Sequence, residues 1–86
     1  MPIISRFFGI IIRMFFNEHA PPHFHAEYAE HRAAINIRTL DVLEGKLPRR
    51  ALELVLDWAE LHQEELLRDW DLCQQHQQPF EISPLE

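Results

Sequence analysis

Cysteine is nearly absent from the sequence, since Cys73 is the single example among 86 residues. One thiol cannot form a disulfide within the chain, which excludes the small secreted scaffolds that depend on disulfides. A zinc site with four cysteine ligands is excluded for the same reason. We therefore expect a cytoplasmic protein in which Cys73 is a buried thiol.

Long apolar runs are also missing. Residues 3–16 are rich in Ile and Phe, but Arg6 and Arg13 interrupt them, and the apolar run at residues 7–12 has only six residues. A signal peptide needs about 7–15 apolar residues and a cleavage site, and a membrane helix needs about 20. The sequence therefore predicts buried strands here and no association with a membrane.

Basic residues are too few to balance the acidic ones. Eight Lys or Arg face 14 Asp or Glu, and the net charge of −6 counts against binding nucleic acid through overall charge. The charge is unevenly distributed, however. Residues 1–50 hold seven basic and five acidic residues, a net of +2, whereas residues 51–86 hold one basic and nine acidic residues, a net of −8. This sorting favours one basic face and one acidic face.

Three segments have the composition of strands. Residues 10–16 are β-branched and aromatic, residues 23–28 alternate between apolar and polar, and residues 33–37 are apolar. The loop at residues 17–22 begins with asparagine and contains two prolines, which favour a turn and stop regular pairing.

The connection at residues 29–32 is short enough for the second and third of these segments to form a hairpin, with its turn at Ala29-Glu30. That turn would place four pairs of residues opposite one another: Tyr28 with His31, Glu27 with Arg32, His25 with Ala34, and His23 with Asn36. Because neither turn residue is glycine, a register shifted by one residue stays an alternative.

The rest of the chain is mainly helical in pattern. Residues 38–47 form a connector with a turn at Glu44-Gly45, in which Thr39, Leu40 and Val42 could extend the sheet or begin a short strand. Pro48 suits the first turn of a helix. Apolar residues then recur at helical spacing, and Trp58 and Trp70 are expected in the core or at an interface. The pattern does not decide between one helix and two helices that meet near His62.

The order of strands followed by helices predicts an α+β fold in a single domain, residues 1–86. We expect a small, mostly antiparallel sheet of three to four strands (about residues 3–37), packed on one or two C-terminal helices (about residues 48–75). An extended tail, residues 76–86, should dock on the core. The side of the sheet that faces the helices would carry Ile10, Ile12, Met14, Phe16, Phe24, Ala26, Tyr28 and Ile35. The other face would carry Ile11, Arg13, Phe15, His23, His25, Glu27, Arg32, Asn36 and Arg38.

His23 and His25 lie two residues apart and should share one face of a strand. They could act as general acid and base on RNA, because the ordinary pKa of histidine is near 6.5 and neighbouring arginines could hold a phosphate. They could also bind a metal ion with a third ligand such as His19 or Glu27. The third alternative is a polar sheet face without chemistry.

The candidate site residues divide into two sets. Arg49 and Arg50, at the start of the predicted helix, could attract phosphate or could simply be solvated. The candidate catalytic residues are His23, His25 and Arg13, and the candidate binding residues are His19, Glu27, Arg32, Arg38, Arg49 and Arg50. No cofactor is expected, and a metal site would use His23 and His25.

Four stretches of the chain resemble the bacterial family called domain of unknown function 4160. They are ISRFFGIIIRMFF (residues 4–16), EHAPPHFHAEY (18–28), AAINI (33–37) and LEGKLPRRALELVLDWAELHQEEL (43–66), and the PPHFHAEY block is the most specific. The chain departs from the family in having Glu18 where Asp is frequent, and Ala29-Glu30 where glycine is frequent.

The resemblance implies a small bacterial cytoplasmic protein that is the toxin of a toxin–antitoxin-like pair. Its partner would be a small protein of the unknown-function family numbered 2442, and its target RNA or translation. The residues that match the family motif are His19, Pro21, Pro22, His23, Phe24 and His25. The alternatives are a non-catalytic or transcription-regulatory module that binds a small partner protein, and a metal-binding domain. A homodimer is a further alternative.

Overall fold

The computed structural model describes residues 2–86 and has the predicted α+β class, with a five-stranded antiparallel sheet followed by two helices. The sheet has one strand more than the upper limit of the prediction. Its elements are β1 (Ile3–Phe7), β2 (Ile10–Arg13), β3 (His23–Tyr28), β4 (His31–Asn36), β5 (Val42–Lys46), α1 (Arg49–Leu61) and α2 (Gln63–Gln74). Within residues 2–86, neither helix has the length and apolar character needed to cross a membrane.

The strands lie in the sheet in chain order, from β1 to β5, and each pairs antiparallel with its neighbour. The predicted register of the β3–β4 hairpin is confirmed, including the pairs His25 with Ala34 and Glu27 with Arg32. Ala29 adopts a φ of 53°, the left-handed conformation that glycine would adopt more readily. The turn therefore forms without glycine, and no shift of register occurs.

Residues 42–46 form the fifth strand, so the turn predicted at Glu44-Gly45 is wrong. The chain reverses earlier, where the side-chain Oδ1 of Asn36 accepts hydrogen bonds from the backbone N–H groups of Arg38 and Thr39. Gly45 lies inside β5 with a φ of 76°, close to a shift of register. A Cβ there would lie 2.2 Å from the carbonyl oxygen of Arg32, so the close approach of the two strands requires glycine.

The core forms where the inner face of the sheet meets the helices. Phe24 and Ala26 are fully buried, while His23, His25 and Glu27 are only partly buried, as the alternation along β3 predicts. The side chain of Trp58, also fully buried, contacts the rings of Phe7 and Phe24 at centroid distances of 5.3 and 5.8 Å. Trp58 thus joins α1 to two strands.

Three residues do not lie where the alternation predicted. Phe16 and Tyr28 were expected to face the helices but are 38% and 37% exposed. Phe16 lies beyond the end of β2 and Tyr28 is the last residue of β3, so the pleat no longer directs them inward. Arg38 was placed on the outer sheet face, but it lies in the turn before β5.

The helical region consists of two helices separated at His62, which settles the alternative that the sequence left open. Gln63 Nε2 donates hydrogen bonds to the carbonyl oxygens of Ile37 and Arg38, at 2.8 and 3.2 Å. His62 Nδ1 lies 2.5 Å from Glu65 Oε1. Contacts with the turn after β4 therefore hold the start of α2, without a glycine or proline at the break.

The C-terminal tail docks on the core, as predicted. The backbone N–H of Ile82 donates to the carbonyl oxygen of Ile4 at 2.8 Å, so the tail covers the outer edge of β1. Trp58 Nε1 donates to the carbonyl oxygen of Ser83 at 2.8 Å, and the Ile82 side chain is buried in the core. The tail is therefore an integral part of the packed structure.

We expect Ile82→Ala to lower the free energy of unfolding by about 2–5 kcal/mol, because it removes buried methyl groups and leaves a cavity. Leu61→Ala is the matched control, since Leu61 is 71% exposed and its truncation should change stability by less than about 0.5 kcal/mol. Urea unfolding followed by far-UV circular dichroism measures both. Equal effects of the two substitutions would contradict the docking of the tail.

Asp69 is a buried carboxylate on α2. Its Oδ1 accepts a hydrogen bond from the backbone N–H of Phe80 at 3.0 Å and lies 3.5 Å from Arg68 Nε, but its Oδ2 has no protein partner. Burial raises the pKa of Asp69, and these two neighbours offset that effect only in part. The folded state therefore binds the proton more tightly than the unfolded state does.

The stability difference between Asp69→Asn and the unsubstituted protein should consequently depend on pH. Above its raised pKa the carboxylate is ionised and destabilises the fold. This destabilisation disappears as the pH falls toward the pKa of aspartate in the unfolded state, about 3.9. The advantage of Asn should be largest at neutral pH and shrink on acidification, as measured by urea unfolding at several pH values. Asp57→Asn, at an exposed position of α1, is the control. A difference that is independent of pH would contradict the assignment.

Candidate functional site

The loop between β2 and β3, residues 14–22, positions the most distinctive polar groups of the protein. Its middle is held to α2 by the backbone N–H of Asn17, which donates to the carbonyl oxygen of Cys73 at 3.2 Å. Its end is held by the Pro22 carbonyl oxygen, which accepts from the N–H of Ile37 at 3.0 Å, and the Ala20–Pro21 bond is cis. Glu18 lies between these two attachments.

Glu18 contacts both histidines of β3. Its Oε1 lies 2.8 Å from His25 Nε2 and 3.2 Å from His23 Nε2. The centroids of the two imidazole rings are 5.1 Å apart, and the angle between the ring planes is 72°. The side chains are 27% (Glu18), 12% (His23) and 22% (His25) exposed, so solvent reaches the group from one side. We call these three residues the Glu18–His23–His25 cluster.

The tautomer of His23 follows from its second contact. His23 Nδ1 lies 2.8 Å from the carbonyl oxygen of Pro21, which can only accept a hydrogen bond. Nδ1 therefore carries a hydrogen, and in a neutral ring Nε2 then has a free lone pair. Nε2 lies 3.2 Å from the carboxylate oxygen of Glu18. Two atoms that both carry lone pairs are stable at this distance only with a proton or another cation between them.

Two aromatic residues border the cluster. The Phe15 ring meets the ring of His25 edge-on at a centroid distance of 4.4 Å, and the Trp70 ring lies 5.2 Å from that of His23. Trp70 belongs to the core, as the sequence predicted, but it also contacts a candidate site residue. The aromatic rings restrict the positions that the imidazoles can take.

Arg13 is the register partner of His25 on the neighbouring strand. Its Nε donates to Glu27 Oε2 at 2.9 Å, so Arg13 and Glu27 neutralise each other beside the cluster. His19 is exposed, and neither it nor Glu27 is the carboxylate or imidazole that joins the histidine pair. Glu18, which sequence analysis did not select, takes that position. The signal for it was a carboxylate just before the PPHFH block.

Arg32 lies beside a shallow groove that begins at His25. The groove has a volume of about 290 Å³, and its lining consists of His25, Arg32, Ala33, Ala34, Glu44 and Gly45. Arg32 is exposed, and it faces Glu27 across the β3–β4 ladder. A ligand in this groove would contact one imidazole and one guanidinium.

The remaining candidate arginines lie elsewhere. Arg38 is exposed in the turn before β5. Arg49 and Arg50 lie in the first turn of α1, where their nitrogens are 3.9 and 3.5 Å from carboxylate oxygens of Glu53. Within residues 2–86, no hydrogen bond or ion pair connects any of these arginines to the cluster. The structure therefore does not bring them to the histidines.

Cys73 is buried on α2, as predicted. Burial raises the pKa of its thiol to about 11, and the negative charges of Asp69 and Glu18 act in the same direction. The thiol is therefore protonated at neutral pH. Cys73 lacks the thiolate that a nucleophile or a metal ligand needs.

One family model matches this chain. It carries the description "Domain of unknown function (DUF4160)" and matches residues 9–71, a stretch that includes β2 to β5, α1, most of α2 and the whole Glu18–His23–His25 cluster. The comparisons with curated proteins and with solved structures give no match.

Proposed function

The chain belongs to this family of unknown function, and we propose that it is the growth-inhibiting member of a bacterial toxin–antitoxin-like pair. In this proposal it works in the cytoplasm, acts on RNA or on translation, and is neutralised by a small antitoxin-like protein. The resemblance to the family supports the paired role. The Glu18–His23–His25 cluster supports the choice of active surface.

The cluster is the observation that carries the proposal. Two imidazoles share one carboxylate oxygen in a partly buried position, at distances of 2.8 and 3.2 Å. Histidine exchanges protons near neutral pH, and a carboxylate that contacts it fixes its orientation. A sheet face that contributed only to folding would not need two imidazoles and a carboxylate in contact with one another.

Cleavage of RNA needs a general base, a general acid and a cation that stabilises the developing charge, with the 2′-hydroxyl as the nucleophile. His23 and His25 supply the first two groups in this proposal. Arg32, exposed beside the groove at His25, supplies the cation, since Arg13 is already paired with Glu27.

We expect inducible expression in a bacterium to arrest growth, and co-expression of the neighbouring gene to relieve the arrest. The double substitution His23→Ala, His25→Ala should abolish the arrest and lower any RNA cleavage by about 10²–10⁴-fold, because it removes the general acid and base. The double substitution His19→Ala, His31→Ala is the matched control, since neither residue belongs to the cluster. Growth arrest by a folded cluster variant would show that the active surface lies elsewhere.

A second candidate function is a non-catalytic module that binds a small partner protein, and the exposure of β5 favours it. β5 is the last strand of the sheet and all five of its residues are exposed, including Val42 and Leu43. The edge strand of a sheet can accept a further strand from another chain. A partner that binds this way would leave the histidine cluster free.

Leu43→Lys tests this second function, because a charged side chain on an edge strand opposes the addition of another strand. If β5 is the contact surface, the substitution should weaken binding of the protein from the neighbouring gene at least about tenfold, as measured by calorimetry. Leu61→Lys, on the exposed surface of α1, should leave affinity unchanged. Equal affinity of both variants and the unsubstituted protein would exclude β5 as the contact.

A further inference from the structure

We propose that Glu18, His23 and His25 form a binding site for one divalent transition-metal ion of the zinc class. The proposal does not depend on growth inhibition, because metal binding is a property of the purified chain. An ion bound here would occupy imidazole nitrogens of His23 and His25, so these residues would then serve as metal ligands and not as general acid and base. The site consists of two imidazole nitrogens and one carboxylate oxygen, from β3 and the loop that precedes it.

The three ligand atoms already converge. One ligand atom from each of Glu18, His23 and His25 lies within 4.8 Å of the other two. Zinc binds nitrogen and oxygen ligands at about 2.0–2.2 Å, so two ligands of one tetrahedral ion lie roughly 3.3 Å apart. The two measured oxygen–nitrogen distances, 2.8 and 3.2 Å, are close to this separation. Only small side-chain movements would place a cation between them.

The tautomer of His23 gives an independent argument. The hydrogen on Nδ1 is donated to the Pro21 carbonyl oxygen, and Nε2 lies 3.2 Å from Glu18 Oε1. Histidines that bind metals usually donate their other N–H to a backbone carbonyl or a carboxylate, which fixes the ring for coordination. His23 makes this second contact through its Nδ1–H and the Pro21 carbonyl oxygen.

The surroundings hold the ligands in place. The loop that carries Glu18 is attached through the Asn17–Cys73 and Ile37–Pro22 hydrogen bonds. Arg13, the nearest strand neighbour of His25, is paired with Glu27 and so leaves the carboxylate of Glu18 to the histidines. Because the ligands are already held in place, binding of an ion costs them little conformational entropy.

The ligand set indicates the class of ion. Two imidazoles and one carboxylate suit zinc and its neighbours in the first transition series, whereas calcium and magnesium prefer oxygen ligands alone. Three protein ligands leave a fourth position for water or for a ligand, as in catalytic rather than structural zinc sites. Of the three ligands, His25 also lines the groove that contains Arg32.

The alternative is that a proton, and not a metal ion, lies between the imidazole and the carboxylate. A histidine would then be an imidazolium that forms an ion pair with Glu18. The two interpretations differ in what happens when zinc is added. If the histidines only form an ion pair with Glu18, they bind zinc no more tightly than other surface histidines do. If the three residues form the proposed site, they bind one equivalent of zinc tightly.

The experiment uses protein purified without a histidine tag and stripped with a chelator. Zinc is titrated by calorimetry, and cobalt by absorption spectroscopy, which reports the coordination of the ion. We expect one ion per chain. Glu18→Gln, His23→Gln and His25→Gln should each lower the affinity by more than the roughly 10–100-fold that accompanies loss of an outer-shell partner.

His19→Gln is the matched control, because His19 is exposed, follows Glu18 directly in the same loop, and lies outside the cluster. It should bind zinc with unchanged affinity and stoichiometry. Far-UV circular dichroism and urea unfolding of each metal-free variant establish that it is folded. If a strand substitution fails to fold, Glu18→Gln in the loop still tests the site.

Two results would overturn the proposal. One is the absence of stoichiometric zinc and cobalt binding by the folded, unsubstituted protein. The other is a loss of affinity in His19→Gln equal to that in Glu18→Gln. Growth arrest is measured separately, so a protein that binds zinc without arresting growth would refute the proposed function and leave the metal site intact.

Discussion

The buried indole of Trp58 connects the sheet, the first helix and the C-terminal tail. Its ring packs against Phe7 of β1 and Phe24 of β3, and its Nε1 donates to the Ser83 carbonyl oxygen of the tail. An 86-residue chain has a small core, so a single large side chain can form a major part of it. Sheet, first helix and tail are all in contact through this residue.

The position of the candidate site is a consequence of the same packing. Phe24 is directed at Trp58, and the pleat of β3 therefore directs His23 and His25 to the opposite side. The alternation of buried and partly buried residues along β3 thus sets the direction of both imidazoles. Glu18 completes the cluster because its loop is attached to α2 at one point and to the residue after β4 at another.

Sequence patterns predicted those features that depend on alternation. The α+β class, the hairpin register of β3 and β4 and the buried Cys73 follow from the spacing of apolar residues. The sequence allowed a short strand at Val42 but placed a turn at Glu44-Gly45, because Gly45 resembles a turn residue. The role of Gly45 depends on the Arg32 carbonyl of the neighbouring strand. A local pattern contains no information about such a contact between strands.

The two other features that sequence analysis could not provide also depend on distant contacts. The break at His62 is accompanied by hydrogen bonds from Gln63 to two carbonyl groups more than 20 residues earlier in the chain. The approach of Glu18 to His23 and His25 needs a loop that is held by Cys73 and Ile37. Glutamate in a proline-containing loop has no periodic signal. Its nearness to the PPHFH block marks it as a candidate, but only the folded structure shows that it contacts the histidines.

The two edges of the sheet differ, and this difference limits how copies of the chain can associate. The tail covers the β1 edge through the Ile82–Ile4 hydrogen bond, whereas every residue of β5 is exposed. A fibre that grows by strand addition needs an accepting edge on both sides of each subunit. The tail occupies the β1 edge at Ile4, so β5 is the more open edge. Pairing of two β5 strands about a twofold axis would use up that edge in each copy, and assembly by this route would end at a closed dimer.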